Sequence, residues 1–423
     1  MTLKKLLVVL DGVGDLPCKA LKGKTPLEAA AKQNLDFLAS RATTGCINIA
    51  GEVAPESDVG VFSVLGFDPK KQHFGRGALE AIGSGLGFQN GWLAVRVNFA
   101  TSDASGVKLL DRRVGRNLST VESKLLAQDI NENIHLQDGT PFEFNATVGH
   151  RAAVVFKGKG FSKHISNTDP AYVVKGGIAH AQKAFEMRVR NCVPLEETRE
   201  AQKTAEIINE FTSRAHEVLE ESKTNKKRVA EGKLPGNAIL LRDAETQLNR
   251  PQNPWGRERW ALLADMPLEV GIAKFLGMDV IELPTPHFDK RDYQVRAEKT
   301  KEALGNYDGV YVHLKGPDLY GHDGDAKGKK KSIEEIDEFY FGPLLKKISL
   351  EKVRIAVTGD HSTPCELKSH SADSVPYLVT TNKFTCGHFE EGFCREKKPI
   401  PAQKLMGILL KRKCFYQNSM QIS

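Results

Sequence analysis

The chain has 423 residues, which is long enough for two domains that each bury a core. Its hydrophobic fraction of 40% and charged fraction of 27% are ordinary for a soluble globular protein. The net charge of +7 comes from dispersed lysines and arginines without interleaved aromatic residues, which argues against a nucleic-acid partner and fits a small acidic substrate. The densest basic runs, residues 226–228 and 329–331, are expected to be solvated loops.

Cysteine usage and the N-terminus indicate the compartment. The seven cysteines stand at irregular spacings without a Cys-X-X-Cys pair, so we expect reduced thiols. The apolar run over residues 6–10 ends at Asp11 and is too short for a signal peptide. Since no apolar run approaches membrane-spanning length, we expect a cytoplasmic protein without a membrane partner. The sequence leaves the oligomeric state open.

The first ninety residues alternate between strand and helix patterns. A helix begins after Thr25, with Pro26 in its first position and Glu28 completing a capping box, and its apolar stripe continues to Leu38. The other predicted elements are strands over residues 6–10 and 45–53, a helix over 61–65 and turns over the glycine-rich segment 75–87.

The pattern changes after about residue 90. Residues 92–100 alternate apolar and polar side chains, which is typical of a half-buried strand in an antiparallel sheet. Residues 199–221 predict a long amphipathic helix, and residues 223–235 a polar linker. Further strands are predicted over residues 107–110, 142–148, 152–156 and 238–241. We therefore predict an inserted, smaller α+β domain over residues 91–249.

From about residue 260 the strand–helix alternation returns, which predicts a parallel sheet with helices on both faces. Strands are predicted over residues 280–283, 310–314, 353–357 and 377–380, and helices over 268–276, 293–304, 333–347 and 402–410. The predicted fold class is therefore an α/β core, formed by residues 1–90 and 250–423, that carries the inserted domain.

Three predicted strands deliver acids and imidazoles at or beyond their carboxyl ends. These residues are Asp11 after the first strand, Asp318 and His322 after the strand over 310–314, and Asp360, His361 and His370 after the strand over 353–357. Ligands of open α/β sheets bind at that edge, and carboxylate oxygen and imidazole nitrogen suit Zn²⁺ or Mn²⁺. Surface loops also collect such residues, but their convergence from three strands favours a metal site.

Ser57 is a candidate nucleophile. It stands at the junction between the strand over 45–53 and the next helix, where its hydroxyl would face the sheet edge and the helix amides favour an anion. The alternative is that Ser57 only caps the helix.

Together these residues suggest phosphoryl transfer. Seven candidate ligands, with Ser57 counted among them, are too many for one tetrahedral ion and suit two ions beside a hydroxyl nucleophile. Transfer of the phosphoryl group from serine to water would make a phosphatase, and transfer to another hydroxyl of the same substrate a mutase. An inserted domain whose arginines close over the site would exclude water and favour the mutase.

Motifs along nearly the whole chain resemble those of the archaeal type of cofactor-independent phosphoglycerate mutase, a family of the alkaline-phosphatase superfamily. They are L-D-G-V-G-D at 10–15, G-K-T-P-L-E-A-A at 23–30, E-S-D-V-G-V-F-S-V-L-G-F-D-P at 56–69, G-R-G-A-L-E-A-I-G at 75–83, D-R-R-V-G-R at 111–116, G-H-R at 149–151, T-D-P at 168–170, P-G-N-A-I-L-L-R-D at 235–243, H-L-K-G-P-D-L-Y-G-H-D-G-D at 313–325, T-G-D-H-S-T-P at 358–364 and H-S-A-D-S-V-P at 370–376. The resemblance implies an alkaline-phosphatase-like core.

It also implies a role for each candidate. Ser57 would become phosphoserine during the interconversion of 3-phosphoglycerate and 2-phosphoglycerate in glycolysis and gluconeogenesis, without 2,3-bisphosphoglycerate. The metals would be two divalent ions, usually Mn²⁺ and in some homologues Zn²⁺, Co²⁺ or Mg²⁺. One set of ligands would be Asp11, Ser57, Asp360 and His361, and the other Asp318, His322 and His370. The substrate-binding residues would be Arg116, Arg151, Asp169, Arg242, Lys315 and Asn98.

Two alternatives remain at the level of the sequence. One is another enzyme of the same superfamily, a metal-dependent phosphatase or phosphopentomutase. The other is a regulatory metal-binding protein without catalysis, against which the complete set of ligands with Ser57 argues.

The metal ligands generate a first prediction. Imidazole binds a metal only when deprotonated, so mutase activity should fall as the pH is lowered from 8 to 5. The measurement is the initial rate at each pH, with circular dichroism to show that the protein stays folded. A flat profile would contradict the role of histidine ligands.

Overall fold

The computed structural model describes residues 3–68, 74–175, 178–182, 184–284, 289–381, 383–385, 387–395 and 398–411. The chain divides into two compact units. The first comprises Met1–His73, Pro251–Asp265 and Leu276–Ser423, and the second Phe74–Arg250 and Met266–Phe275. The predicted boundaries at residues 90 and 250 differ from this division, which assigns residues 74–90 and 266–275 to the second unit.

The described elements are numbered in chain order. The strands are β1 (Lys4–Leu10), β2 (Ala42–Asn48), β3 (Leu93–Ser102), β4 (Leu109–Asp111), β5 (Phe142–Ala146), β6 (Arg151–Phe156), β7 (Tyr172–Lys175), β8 (Ile178–Ala181), β9 (Ala238–Glu245), β10 (Trp260–Leu263), β11 (Asp279–Val280), β12 (Gly309–Leu314), β13 (Val353–Thr358), β14 (Val375–Thr380) and β15 (Ile400–Pro401).

The α-helices are α1 (Pro26–Ala29), α2 (Gln33–Ala39), α3 (Ser57–Val64), α4 (Arg76–Gly83), α5 (Thr120–Asn133), α6 (Arg199–Glu221), α7 (Lys223–Ala230), α8 (Pro267–Leu276), α9 (Lys290–Asn306), α10 (Pro317–Asp323), α11 (Ala326–Ile336), α12 (Gly342–Leu345), α13 (Glu391–Arg395) and α14 (Gln403–Leu410). Short 3₁₀ turns cover Lys19–Leu21 and Val114–Arg116, and a π-helical turn covers Asp337–Phe341.

The first unit is built on an eight-stranded sheet in the order β11-β10-β12-β1-β13-β14-β2-β15. The strands from β11 to β13 are parallel, which confirms the predicted α/β core. The next strand, β14, runs antiparallel to β13 and β2, so the sheet is mixed. Both faces of β1 are covered, because successive side chains point to opposite faces and those of residues 6–10 are all fully buried.

The second unit contains an antiparallel sheet in which β3 lies between β6 and β9, with β4 pairing the end of β3 and β5 pairing β6. This confirms the antiparallel strand predicted over residues 92–100. The prediction that this strand is half-buried is wrong, since all ten residues of β3 are buried. One face of β3 packs into an apolar core with the long helix α6, whose predicted bounds are confirmed.

Glycines explain why α4 was predicted as turns. A Cβ at Gly77 would collide with the carbonyl oxygen of Asp243, and one at Gly83 with that of Pro267. One at Gly271 in α8 would likewise collide with Leu79 in α4. These glycines therefore allow α4 to approach β9 and α8 closely within the second unit. They do not form a turn.

The helix predicted from Thr25 to Leu38 is two helices. The capping box of Thr25 and Glu28 is present, but α1 ends at Ala29 and the backbone is extended at Ala30. The new N-terminus at α2 is capped from elsewhere, because the Asp337 carboxylate accepts from the backbone N–H groups of Asn34 and Leu35 at 3.1 and 2.7 Å. A long-range cap of this kind leaves no local signal.

Both basic runs that were predicted to be solvated contain a buried cation. Arg228 is 1% exposed, and its guanidinium donates to Glu122 at 2.8 Å and to the Asn117 side chain at 2.6 Å. It belongs to α7, which occupies the segment predicted as a linker. Lys329 is fully buried in α11. The prediction of solvated loops is wrong at these positions.

Two further expectations concern cysteines and membranes. Cys46 is disulfide-bonded, so the prediction of reduced thiols is wrong there, whereas Cys18, Cys192 and Cys365 are free and buried. Among the described helices, none is both long and apolar enough to cross a membrane.

Glu391 at the start of α13 generates a prediction about stability. Its carboxylate accepts from the Thr25 hydroxyl at 2.6 Å and from the backbone N–H of Asp15 at 3.1 Å. Burial raises the pKa of Glu391 to about 7. The folded protein therefore binds more protons at this site than the unfolded chain at intermediate pH, and stability falls as the pH rises through that window.

Glu391→Gln removes this titration. The unfolding free energy of the variant minus that of the parent should therefore be larger at pH 8 than at pH 4.5, by on the order of 3 kcal/mol. Urea unfolding at both pH values measures the difference, with Glu390→Gln as the matched control because Glu390 is a partly exposed neighbour. If Glu391→Gln changes the unfolding free energy equally at the two pH values, the raised pKa of Glu391 is refuted.

Candidate active site

The register of the first sheet brings three strand ends together. Leu10 of β1 pairs with Leu314 of β12, and Val9 pairs with Thr358 of β13. The residues that follow these strands therefore emerge at one edge. Asp11 and Asp360 are 3% and 0% exposed there, and Gly12 donates its backbone N–H to Asp360 Oδ1 at 3.1 Å.

Asp11, Asp360 and His361 form a first group of candidate ligands. His361 Nε2 lies 3.5 Å from Asp11 Oδ1 and 3.5 Å from Asp360 Oδ2. These three atoms are buried, and none has a hydrogen-bond partner among the described residues. Buried polar atoms are rarely left in this state. Two carboxylate oxygens and an imidazole nitrogen that converge on one point fit a divalent cation.

The electrostatics of the two acids differ. Burial alone would raise the pKa of Asp11, but the Lys315 ammonium, 2.8 Å from Oδ2, and the neighbouring histidines hold that pKa well below its ordinary value. Burial raises the pKa of Asp360. Without a cation, one carboxylate is thus ionised and the other resists ionisation. A divalent ion would favour the charged form of both.

Asp318, His322 and His370 form a second group. Nε2 of His370 lies 3.6 Å from Asp318 Oδ1, and Nε2 of His322 lies 3.6 Å from Asp318 Oδ2. Burial opposes charge at both members of the His370–Asp318 pair, but their mutual attraction prevails. It raises the pKa of His370 to about 9 and lowers that of Asp318 to about 2. The pair is therefore ionised at neutral pH.

The rings of His361 and His370 stack with centroids 3.8 Å apart, so the two groups are neighbours. By distance alone His361 could also join Asp318 and His370. A neutral imidazole has only one lone pair for a metal, and His361 Nε2 faces Asp11 and Asp360. These contacts favour His361 in the first group. The assignment of His322 to the second group stays a prediction.

Each of these three histidines is oriented through its other ring nitrogen. Nδ1 of His370 lies 2.8 Å from Pro55 O, and Nδ1 of His322 lies 3.2 Å from Lys368 O. Nδ1 of His361 lies 3.0 Å from the Thr363 hydroxyl, which donates its own proton to Asp318 Oδ1 at 2.6 Å. The His361 Nδ1 must then carry a proton, so the lone pair of its ring is on Nε2.

Lys329 connects, through hydrogen bonds, the two loops that carry Asp11 and His361. Its ammonium donates to Gly14 O at 2.9 Å, to Asp15 Oδ2 at 2.8 Å and to Thr363 O at 2.9 Å. These acceptors follow Asp11 and His361 in the chain. Sequence reasoning missed Lys329 because nothing in a run of three lysines marks the one that is buried.

Ser57 is the first residue of α3 and is partly exposed. The N-cap is Glu56, so the alternative in which Ser57 only caps the helix is wrong. The helix lies against the metal-ligand edge, because a Cβ at Gly60 would collide with the backbone carbonyl of Asp360. Pro55, two residues before Ser57, contacts His370. The predicted nucleophile thus stands on a helix that both ligand groups border.

The second unit gathers arginines on one sheet face. Arg96 pairs across the strands with Arg242, and Asn98 with Arg151. Residues 96 and 98 of β3 point to the same face, opposite the apolar core. Burial, and after it the nearby Arg242, lower the pKa of Arg96 to about 10, although Glu80 at 3.0 Å and Asp243 at 3.7 Å favour its charged form. This face suits an anion that carries phosphate or carboxylate.

Asp169 holds Arg242 of this face, and also Arg112, in place. Its fully buried carboxylate accepts from Arg112 Nη2 at 2.7 and 2.8 Å and from Arg242 Nη1 at 2.6 Å, and the Tyr172 ring lies 4.2 Å from the Arg242 guanidinium carbon. Arg116 lies apart on an exposed 3₁₀ turn with φ of 56°. Lys315 lies with the metal-site residues of the first unit.

His150 is a further residue that sequence reasoning did not single out for a role. Burial, together with the nearby Arg151 and Arg113, lowers the pKa of His150 to about 3. The imidazole is therefore neutral at physiological pH, in the middle of the arginines. No sequence signal short of the fold would have placed it there.

Known proteins are similar to this chain in sequence and in fold. Residues 39–225 match the family model described as 2,3-bisphosphoglycerate-independent phosphoglycerate mutase. Proteins of that name from Aeropyrum pernix and Pyrococcus abyssi are each 39% identical over 405 residues. The matches cover 93% of this chain and 94% of the first relative, and 92% and 91% for the second.

Two solved structures are similar over almost their full length. A Pyrococcus horikoshii protein has a TM-score of 0.76 at 30% identity, covering 97% of both chains. The cofactor-independent phosphoglycerate mutase of Thermoplasma acidophilum has a TM-score of 0.63 at 30% identity, covering 97% of this chain and 99% of its own. This chain therefore belongs to the 2,3-bisphosphoglycerate-independent phosphoglycerate mutase family.

Proposed function

We propose that this protein interconverts 3-phosphoglycerate and 2-phosphoglycerate, without 2,3-bisphosphoglycerate, through a phosphoserine at Ser57. The observation that carries the proposal is the pair of adjacent ligand groups at the sheet edge where α3 begins with Ser57. The Aeropyrum pernix and Pyrococcus abyssi relatives that bear the mutase name align with more than nine-tenths of the chain. The first unit would be the metal-binding core, and the second the substrate-binding part.

Two divalent ions, with Mn²⁺ proposed, would occupy the two groups. Asp11, Asp360 and His361, with Ser57, would hold one ion, and Asp318, His322 and His370 the other. Bound metal would lower the pKa of the serine hydroxyl and offset charge on the phosphoryl oxygens. The mixture of carboxylate and imidazole ligands suits Mn²⁺ and also Zn²⁺ or Co²⁺.

Ser57 would act as the nucleophile that takes the phosphoryl group and returns it to the other hydroxyl of the same glycerate. Its position at the start of α3 supports this role, because the free N–H groups of a helix N-terminus attract an anion. Lys315 adds a positive charge at the same edge through its ion pair with Asp11. Both features favour the arrival of a phosphate ester.

The arginine face of the second unit would hold the carboxylate and phosphate of the substrate. Arg151, Arg242 and Asn98 share that face, whereas Arg116 lies apart from it on an exposed turn of the same unit. Guanidinium groups bind such oxyanions with paired hydrogen bonds. Asp169 was predicted to bind substrate, but both of its oxygens already accept hydrogen bonds from Arg112 and Arg242. It would therefore position these two arginines. A cytoplasmic location and the absence of nucleic-acid and membrane partners stay predictions.

The proposed function is tested by comparing two rates on 3-phosphoglycerate, the formation of 2-phosphoglycerate and the release of inorganic phosphate. The metal-stripped protein receives Mn²⁺ and 3-phosphoglycerate, with no bisphosphoglycerate. Formation of 2-phosphoglycerate is followed through enolase, and inorganic phosphate is measured in parallel. We expect metal-dependent mutase turnover with little phosphate. Faster release of phosphate than of 2-phosphoglycerate would instead support the phosphatase.

Replacement of the nucleophile gives a further prediction. Ser57→Ala should lower the mutase rate by a factor of roughly 10³ or more, because the covalent route is lost while the fold persists. The matched control is Ser63→Ala in the same helix, since Ser63 is buried and its hydroxyl donates to Ile49 O at 3.3 Å. Turnover of Ser57→Ala at the parent rate would remove Ser57 from the mechanism.

A further inference from the structure

His313 is a buried histidine that lies beside the first ligand group. We propose that it is a fourth imidazole of the metal centre and binds the ion held by Asp11, Asp360 and His361. The inference deepens the proposed function and rests on its metal-binding part. No local pattern singles out this residue, because it lies inside the apolar strand β12 and not beyond its end.

His313 Nε2 lies close to the same two carboxylate oxygen atoms as His361 Nε2. Nε2 of His313 lies 3.7 Å from Asp11 Oδ1 and 3.7 Å from Asp360 Oδ2. The corresponding distances from His361 Nε2 are both 3.5 Å. Two atoms that each lie about 2.1 Å from one tetrahedral ion are about 3.4 Å apart. The four nitrogen–oxygen separations are close to that value, so each imidazole nitrogen lies at a distance from both oxygens at which it could share an ion with them.

Hydrogen bonding orients His313 as it orients the other ligands. Its Nδ1 lies 2.6 Å from the hydroxyl of Tyr311, a fully buried neighbour two residues earlier in β12. In the tautomer that binds an ion, Nδ1–H donates to the Tyr311 oxygen and the lone pair is on Nε2. The same arrangement, with Nδ1 at hydrogen-bond distance from an oxygen atom and Nε2 facing a carboxylate, is found in His322, His361 and His370. A second partner that fixes the ring in this way is the usual support of a metal-binding histidine. His313 therefore shares the arrangement of the three proposed imidazole ligands.

A histidine with a purely structural role is bonded differently in the same chain. Nδ1 of His216 lies 2.9 Å from Asn237 O, and its Nε2 lies 3.4 Å from Ala104 O. Both ring nitrogens thus lie near backbone carbonyls, with no carboxylate in the arrangement. His216 provides a matched control for substitutions at His313.

Charge also favours this assignment. The Lys315 ammonium lies 2.8 Å from Oδ2 of Asp11, so Oδ1 is the oxygen that remains for an ion. Two carboxylates balance the charge of a divalent cation, and two neutral imidazoles complete four protein ligands without excess charge. Ser57 would then add to a site that is already held by four side chains. The ion of this group should consequently remain bound when Ser57 is replaced.

The test measures metal binding and not turnover. Metal-stripped parent protein, His313→Gln, Tyr311→Phe and the control His216→Gln are titrated with Mn²⁺ by calorimetry, and bound metal is counted by mass spectrometry. Co²⁺ then serves as a spectroscopic probe, because its visible bands weaken when the coordination number rises from four or five to six. Circular dichroism and thermal unfolding of the metal-free proteins show whether each variant is folded.

We expect two ions per parent chain and at least a tenfold weaker affinity for one of them in His313→Gln, with altered Co²⁺ bands. Tyr311→Phe should weaken the same ion by about tenfold, as loss of a supporting hydrogen bond does. His216→Gln should bind as the parent does. Ser57→Ala should keep both ions.

Folded His313→Gln that binds two ions with parent affinity and an unchanged Co²⁺ spectrum would overturn the proposal. If His313→Gln does not fold, Tyr311→Phe decides, and parent affinity in that variant would overturn it too. A parent protein that binds both ions but lacks mutase activity would overturn the proposed function and leave His313 as a ligand. A parent protein that binds no metal would overturn both.

Discussion

Two buried carboxylates, Asp11 and Asp360, are the constraint on which the first unit depends. They lie at the ends of adjacent strands with His361 Nε2 3.5 Å from an oxygen of each. Burying such charges is unfavourable unless a cation compensates them, and Lys315 contacts Asp11 at 2.8 Å. A divalent ion would complete the balance. At a free concentration a hundredfold above its Kd, each bound ion would stabilise the fold by about 2.7 kcal/mol.

The residues around this pair hold the proposed ligands in position through hydrogen bonds that need no metal ion. Lys329 joins the loops after β1 and β13 with three buried hydrogen bonds. Thr363 links the two ligand groups, because its hydroxyl contacts both His361 and Asp318. Each link is made by a fully buried side chain that is not itself a proposed ligand. Such preorganisation is what a two-ion centre requires, because small errors in ligand position weaken metal binding and catalysis.

Much of the site could be predicted from the sequence because its residues follow apolar strands. Asp11, Asp318 and Asp360 are each preceded by a strand pattern, and the parallel sheet brings those strand ends together. The motifs around Ser57 and His370 resemble a known family, which supplied the expected roles. Local pattern and resemblance therefore sufficed for the core fold and for the proposed ligands.

The remaining features depend on contacts between distant segments. A run of lysines does not show that Lys329 is buried, and an apolar strand does not show that His313 faces two acids. The glycines of α4 look like turn residues until the close approach to α8 is known. The break between α1 and α2 is set by Asp337, some three hundred residues away. Each of these was missed for the same reason, since the partner is far away in the sequence.

The two-ion centre can be tested most directly by anomalous diffraction at the manganese absorption edge from crystals grown with Mn²⁺. The account predicts two peaks in the anomalous map. One should lie among Asp11, Asp360, His361 and His313, and the other among Asp318, His322 and His370. A single peak, or peaks that avoid these residues, would contradict it.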